Sequence, residues 1–541
     1  MESKHAVGLL DLDREFGETG LGVEGELPDW LAGTLLCNGP GRFTLADGRS
    51  VNHWFDGLAL LRRFRLDGAS NYVSFAAQFL RSEEYESVDT EGRLARDQFG
   101  TDPYADVFER LGRVLSPAPT DNASVGFEVV DGSIRAVTET PRGVVVNPET
   151  LESGPTVDRI ADTEATMLLA HVHRDHRRGE AIAIGTRLGW TSEYLLCRRE
   201  LGASTYQVFG RLERERPAYL HSFGLTDGHV VVLESPFRIE PLDLLDEGPI
   251  SAAFEWTDDD ARLLVFDRES GDHTATATLE PCFTFHHVNA FEHPVRDVGN
   301  GGSSRTDLVV DLVAYDDAEI VRSLTLSQLR DPETTLPGGQ LRRYELSVPT
   351  AQDGVAEPEV TEKLLHDAPV EFPTVNYDRV NGRPYRYVYA AGNGNRPVRT
   401  LSDRLYKIDL ETGTTQVWQE DDCFPGEPVF VPRTVDGTRE SNADADSESN
   451  ADADGQKDGA AAGESDRGED DGVVLSVVLD TDHPAPVDES GARSFLLVLD
   501  ADSFTELARA ALPCVLPFGF HGQFFGDPFL ENDGEFVRSM A

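Results

Sequence analysis

Short apolar runs, each closed by Gly, Pro, Asp or Asn, recur along most of the chain, and they restrict it to a small set of folds. RGVVVNP, EAIAIGT, HVVVLESPF, ARLLVFD, TDLVVDLVAY, YRYVYAAG and SFLLVLD are examples. Each has the length of a strand and turn formers at its ends. Helical periodicity is rare and brief, and the best case, DPYADVFERLGRVL at 102–115, predicts one short helix. Many short strands with turns between them predict an all-β architecture, a set of sandwiches or a propeller. No repeat such as a WD dipeptide marks individual blades. With 541 residues the chain is long enough for several ordinary domains or for one large closed architecture.

One segment departs from this pattern. Residues 436–471 read DGTRESNADADSESNADADGQKDGAAAGESDRGEDD, with ESNADAD occurring at 440–446 and again at 448–454. Almost without aromatic or branched aliphatic side chains, it cannot bury enough apolar area to offset the entropy of ordering it. We expect a disordered acidic insertion within a domain rather than a linker, because strand-like sequence resumes at once in GVVLSVVLD.

The acid excess is not confined to that segment. The chain carries 97 acidic against 48 basic residues, a formal net charge of −49, and only Lys4, Lys363, Lys407 and Lys457 among the basic residues are lysines. Such a surface repels nucleic acid and anionic membrane. Acid excess with almost no lysine fits a protein of an extremely salty cytoplasm, where salt screens self-repulsion. The five cysteines are far apart, odd in number and without a CxxC. This argues against a zinc ribbon or a disulfide framework and for a reducing compartment. The opening MESKHAVGLLDLDREFGE has no apolar signal region and no apolar run is long enough to cross a bilayer, so a cytoplasmic protein is expected.

The candidate chemistry lies in histidine. LLAHVHRDHRRGE holds His171, His173 and His176 among only 14 histidines, and nothing inside that stretch says which is a ligand. His171, His221 in YLHSFGLTDGHVVVLE, His286 in FTFHHVNAFE and His521 in PFGFHGQFF sit in similar local settings, and three of them lead into a hydrophobic strand. Four imidazoles meeting on a propeller axis would hold iron, zinc, copper or nickel and leave coordination sites open. Taken singly, each is as readily a structural or solvated histidine, and separations of 50, 65 and 235 residues match no local zinc spacing.

From about residue 27 to the C-terminus, the acidic insertion apart, the chain resembles the carotenoid cleavage oxygenase family. LPDWLAGTLLCNGPGRF resembles the family's opening segment, with Cys37 where arginine is usual, and NHWFDGLALLRRF is a strong match. The A-H, H-x-F, F-H-x-x-N-A and G-F-H-G motifs fall on His171, His221, His286 and His521. The resemblance implies a single seven-bladed β-propeller over residues 1–541, with a loop and helix cap over an axial metal site. It implies one iron(II) per chain on those four histidines, dioxygen as co-substrate, and His173 and His176 as loop residues. It makes His286 rather than His287 the ligand. Three glutamates are implied behind the rings: Glu139 for His221, Glu371 for His286 and Glu427 for His521, with none for His171. Such a carboxylate fixes a ring's tautomer and raises its basicity. Phe99, Thr138 and Phe372 match cavity-lining, substrate-binding positions.

The implied reaction splits a conjugated C=C bond of a hydrophobic polyene into two carbonyls, in a tunnel that supplies position and dryness. RSEEYES, QFGTDPYADVFERL and TDNASVGFEV resemble the animal-type carotene oxygenase branch, and the PDPC of the isomerohydrolase is absent after FGT. Central 15,15′ cleavage of β-carotene to retinal is therefore the expected activity, with peripheral membrane contact for substrate uptake. The alternatives are another apocarotenoid or stilbene-type alkene, or a non-catalytic propeller that binds a partner on its axial face.

Overall fold

A computed structural model describes residues 3–526 except 104–118, 163–164, 241–242, 244–247, 297–304, 350–353, 395, 434–467, 484–486 and 488–490. Most of the helix expected at 102–115 lies outside the described residues.

Each apolar run quoted above contributes a strand, in most cases one with sheet partners on both sides. Arg142–Val146, Glu180–Arg187, His229–Glu234, Ala261–Asp267, Arg305–Ala314, Tyr387–Gly392 and Arg493–Asp500 are all paired in antiparallel sheets. Their interiors are almost continuously buried, because each sheet is covered on both faces by its neighbours. Outer strands read differently: Gln207–Arg214 and Val360–His366 are largely part-exposed or exposed. Seven sheets of four or more strands follow one another along the chain as the blades of a propeller, and Phe237–Ile239 with Phe254–Trp256 forms an additional two-stranded ribbon.

The ring is closed twice. Gly522–Gly526 pairs with Ala32–Cys37, so the chain's end supplies a strand to the first blade. In return Val23–Gly25 pairs with Glu506–Ala511 and extends the last blade. Neither blade is complete without residues from the opposite end of the chain.

The innermost strands are irregular where they reach the axis. In the third blade Met167–Leu168 and His173–Asp175 both pair with Glu180–Arg187, and the interval between them holds His171. In the last blade Cys423–Pro425 and Val429–Pro432 both pair with Gly472–Asp480, and the interval holds Glu427. Short helices Glu319–Ser323 and Leu326–Arg330, with the Trp54–Asp56 turn, pack over the axis in one apolar cluster. No helix among the described residues is long and apolar enough to cross a membrane.

The acidic segment leaves and re-enters the last blade at one point. Pro432 is opposite Gly472, and the Arg433 N–H donates to the Asp471 carbonyl at 3.0 Å. Of the segment expected to be disordered, residues 436–467 lie outside the described residues and only 468–471 are described. The Glu469 carboxylate accepts the Arg386 and Tyr387 N–H groups, and Asp470 pairs with the buried Lys407 at 2.7 Å. These contacts order residues 468–471 despite their composition.

Candidate metal centre

The four histidines from the matched motifs converge. One nitrogen of each of His171, His221, His286 and His521 lies within 4.8 Å of those of the others. The Nε2 atoms of His171 and His221 are 3.1 Å apart, and His171 stands edge-on to His286 and His521 at 5.0 and 4.5 Å between ring centres.

The tautomers follow from the outer hydrogen bonds. Nδ1–H of His221 donates to Glu139 at 2.6 Å, that of His286 to Glu371 at 2.5 Å, and that of His521 to Glu427 at 2.7 Å. Each Nε2 therefore presents a lone pair to the common centre. Among the described residues no carboxylate stands on His171. Burial, followed by the neighbouring rings, holds His171 well below the ordinary histidine range, and burial lowers His286 too. Converging lone pairs repel one another unless a cation lies between them. The buried Nε2 of His286 has no hydrogen-bond partner, as expected of an atom reserved for a metal. The residues fit a metal that accepts four imidazoles.

The glutamates are themselves held. Tyr219 OH donates to Glu139 at 2.8 Å, Tyr315 OH to Glu371 at 3.1 Å, and the Gly522 N–H to Glu427 at 2.7 Å. Burial pushes the Glu371 carboxyl up, but the His286 ring and the Phe372 and Tyr315 donors outweigh it and leave the group below the usual carboxylate range. The two tyrosines were not found from sequence. Tyr219 stands two residues before a ligand, and that proximity was the available signal.

A cavity of about 1250 Å³ opens onto His221, His286 and His521. It exceeds the roughly 300–1,000 Å³ usual for small-molecule sites. Trp54, Phe55, Phe285, Phe520, Leu324 and Leu336 form much of its apolar wall, and Phe99, Thr138 and Phe372 line it as well. Phe372 has φ 49°, a left-handed conformation that costs a bulky residue energy. In a regular strand consecutive side chains face opposite ways. The left-handed residue breaks that alternation, so Glu371 and Phe372 both line the cavity.

His173 requires a correction. It is no loop residue but part of the inner strand, half-buried, with its ring between the Phe223 carbonyl and the Tyr377 hydroxyl, each at 2.9 Å. Burial pushes it down to about 4. It therefore stays neutral and ties its strand to the next blade. His176 is exposed in the following turn. His287 accepts or donates at Ser222 Oγ through Nδ1 and is not among the four converging rings.

Known proteins resemble this chain over most of its length. The family model described as retinal pigment epithelial membrane protein matches residues 10–526. The human β,β-carotene 15,15′-dioxygenase is 31% identical over 565 residues, covering 93% of this chain and 92% of its own. The mitochondrial carotenoid-cleaving dioxygenase of Mustela putorius furo is 30% identical over 557 residues, covering 93% of each chain. Among solved structures, the cobalt-substituted apocarotenoid oxygenase of Synechocystis superposes with a TM-score of 0.75 at 22% identity, over 97% of this chain and 99% of that one.

Proposed function

The chain belongs to the carotenoid oxygenase family that includes the retinal pigment epithelial membrane protein, and from that premise we propose that it is an iron(II)-dependent dioxygenase cleaving a carotenoid, with central 15,15′ cleavage of β-carotene to retinal as its reaction. The observation that carries this reading is the four-histidine cluster, three of whose rings line a large, mostly apolar cavity. Iron(II), bound by His171, His221, His286 and His521, would supply the site that activates dioxygen beside the alkene.

The protein's part is placement. Uncharged imidazoles leave the ion its full positive charge, and three carboxylates behind the rings fix their orientation. Phe99, Thr138 and Phe372 form the wall against which the polyene lies. Phe372 is 5.6 Å from the His286 ring and 5.4 Å from His521 between ring centres, so a chain resting on it is held next to the ligands. The apolar wall excludes water from that position. Trp190, 95% exposed yet on the cavity's lining, supports substrate entry through peripheral membrane contact. The similarity to the human 15,15′-dioxygenase supports the choice of bond.

The test is to load the purified protein with iron, incubate it with β-carotene under dioxygen, and identify the aldehydes. Retinal as sole product is expected. Two unequal apocarotenals would move the cleaved bond, and an iron-loaded protein that cleaves neither β-carotene nor an apocarotenal would overturn the assignment.

A further inference from the structure

His171 is the one converging ring without a glutamate behind it, yet it lies at the centre of the cluster. What holds its segment in place is a guanidinium. Arg159 is wholly buried. Its Nη1 donates to the carbonyls of Thr138 at 3.1 Å, Thr140 at 3.0 Å and Leu168 at 3.2 Å, and its Nη2 donates to the carbonyl of Leu169 at 2.9 Å. Thr138 and Thr140 flank Glu139, the carboxylate that orients His221. Leu168 and Leu169 lead directly into His171. One planar group therefore spans the second and third blades and grips the backbone on both sides of the outer partner of one ligand and just ahead of another. Its charge is balanced by Glu128, also wholly buried, which accepts from Nε at 3.1 Å.

We propose that Arg159 is a positioning residue of the metal centre, setting His171 relative to Glu139 and so to His221. Unlike the glutamates it touches no ring, and it acts by fixing the backbone that carries His171 and Glu139. The inference rests on the four-histidine metal reading above. Four carbonyls and a carboxylate around one side chain demand a rigid fork. A lysine keeps the charge but offers a single ammonium that cannot reach all of them at once.

Arg199 provides an internal control. It donates to the same Glu128 at 3.2 Å, but its other acceptors are Val129 and the carbonyls of Glu200, Leu201 and Ala203, in a turn away from the histidines. Arg159→Lys and Arg199→Lys therefore disturb the same buried carboxylate, and only the first loosens the ligand segments.

Co(II) binding to the metal-free protein, followed by calorimetry and by the visible spectrum of the bound ion, separates them. Arg159→Lys should bind Co(II) about 10- to 100-fold more weakly, the usual effect of losing outer support at a metal site, with an altered spectrum. Arg199→Lys should keep wild-type affinity and spectrum whatever its melting temperature. If Arg159→Lys does not fold, the neutral pair Arg159→Gln with Glu128→Gln replaces it, with the same weakening expected. A folded Arg159 variant with wild-type affinity and spectrum would overturn the proposal, as would an equal loss in Arg199→Lys. Wild-type protein that takes up no Co(II) would overturn the metal reading itself, and this inference with it.

Discussion

Glu371 shows how little separates a structural carboxylate from a functional one. One oxygen accepts both the His286 ring N–H at 2.5 Å and the Phe372 N–H at 2.7 Å, while the other accepts Tyr315 OH. Glutamine can keep the two N–H contacts through its carbonyl, while its amide N–H donates to the Tyr315 oxygen and reverses that bond. What it loses is the negative charge that makes His286 a stronger ligand. Glu371→Gln should therefore lower iron affinity or cleavage rate about 10- to 100-fold with little change in melting temperature. Full activity at limiting iron would show that the charge is irrelevant. The ligands were legible because each lies inside a local motif, such as FHHVNA or GFHG. The outer donors were not, since Tyr315 meets Glu371 across 56 residues and no local spacing reports such a pairing. His173 shows the same limit: its strand pairs within its own blade at Ile182, but the groups that hold its ring, Phe223 and Tyr377, come from other blades and leave no local signal.

At the level of elements, strand identity was readable and strand irregularity was not. An apolar run predicts a ladder, but whether the ladder breaks at His171 or Glu427 depends on what lies across the axis. The left-handed Phe372 is the clearest case, because Pro373 in VEFPTVNY signals an interrupted ladder but not a left-handed residue before it. The acidic insertion divides the same way. Composition singles out the segment but not the contacts that hold Glu469 and Asp470 near its end. Deleting residues 438–466 should leave the melting temperature nearly unchanged at fixed salt, because the flanking strands are already paired at Pro432 and Gly472. Asp470→Ala, just outside that deletion, should destabilise by about 3–5 kcal/mol, as expected when one partner of a buried ion pair is removed. Lys407 is 3% exposed and would be left with the Asp502 carbonyl and the face of Tyr387. Chemical denaturation of the two variants side by side checks both. A large loss in the deletion, or none in Asp470→Ala, would place the boundary elsewhere.

For the whole molecule, ring closure was the part hardest to read, because strands from the two ends of the chain complete each other's blades and share no local sequence signal. Net charge, by contrast, is fully visible and acts on the closed ring as a unit. Two electrostatic effects of opposite sign compete when salt is removed. Surface ion pairs such as Arg509–Glu420 strengthen, but exposed pairs contribute only about 0–1 kcal/mol each. Repulsion among the excess carboxylates also strengthens, and its range changes more. The Debye length is about 3 Å at 1 M salt and about 30 Å at 0.01 M. A compact chain of this length has a radius of gyration of roughly 24 Å. In molar salt a carboxylate therefore senses only its immediate neighbours, whereas in dilute buffer it senses most of the net charge of −49. Unfolding relieves that repulsion by spreading the charge over a larger volume. Repulsion should win, and the melting temperature should fall steadily as salt is lowered from molar to millimolar. A melting temperature that stays constant or rises over that range would mean that the ion pairs dominate and that the acidic surface is not an adaptation to salt.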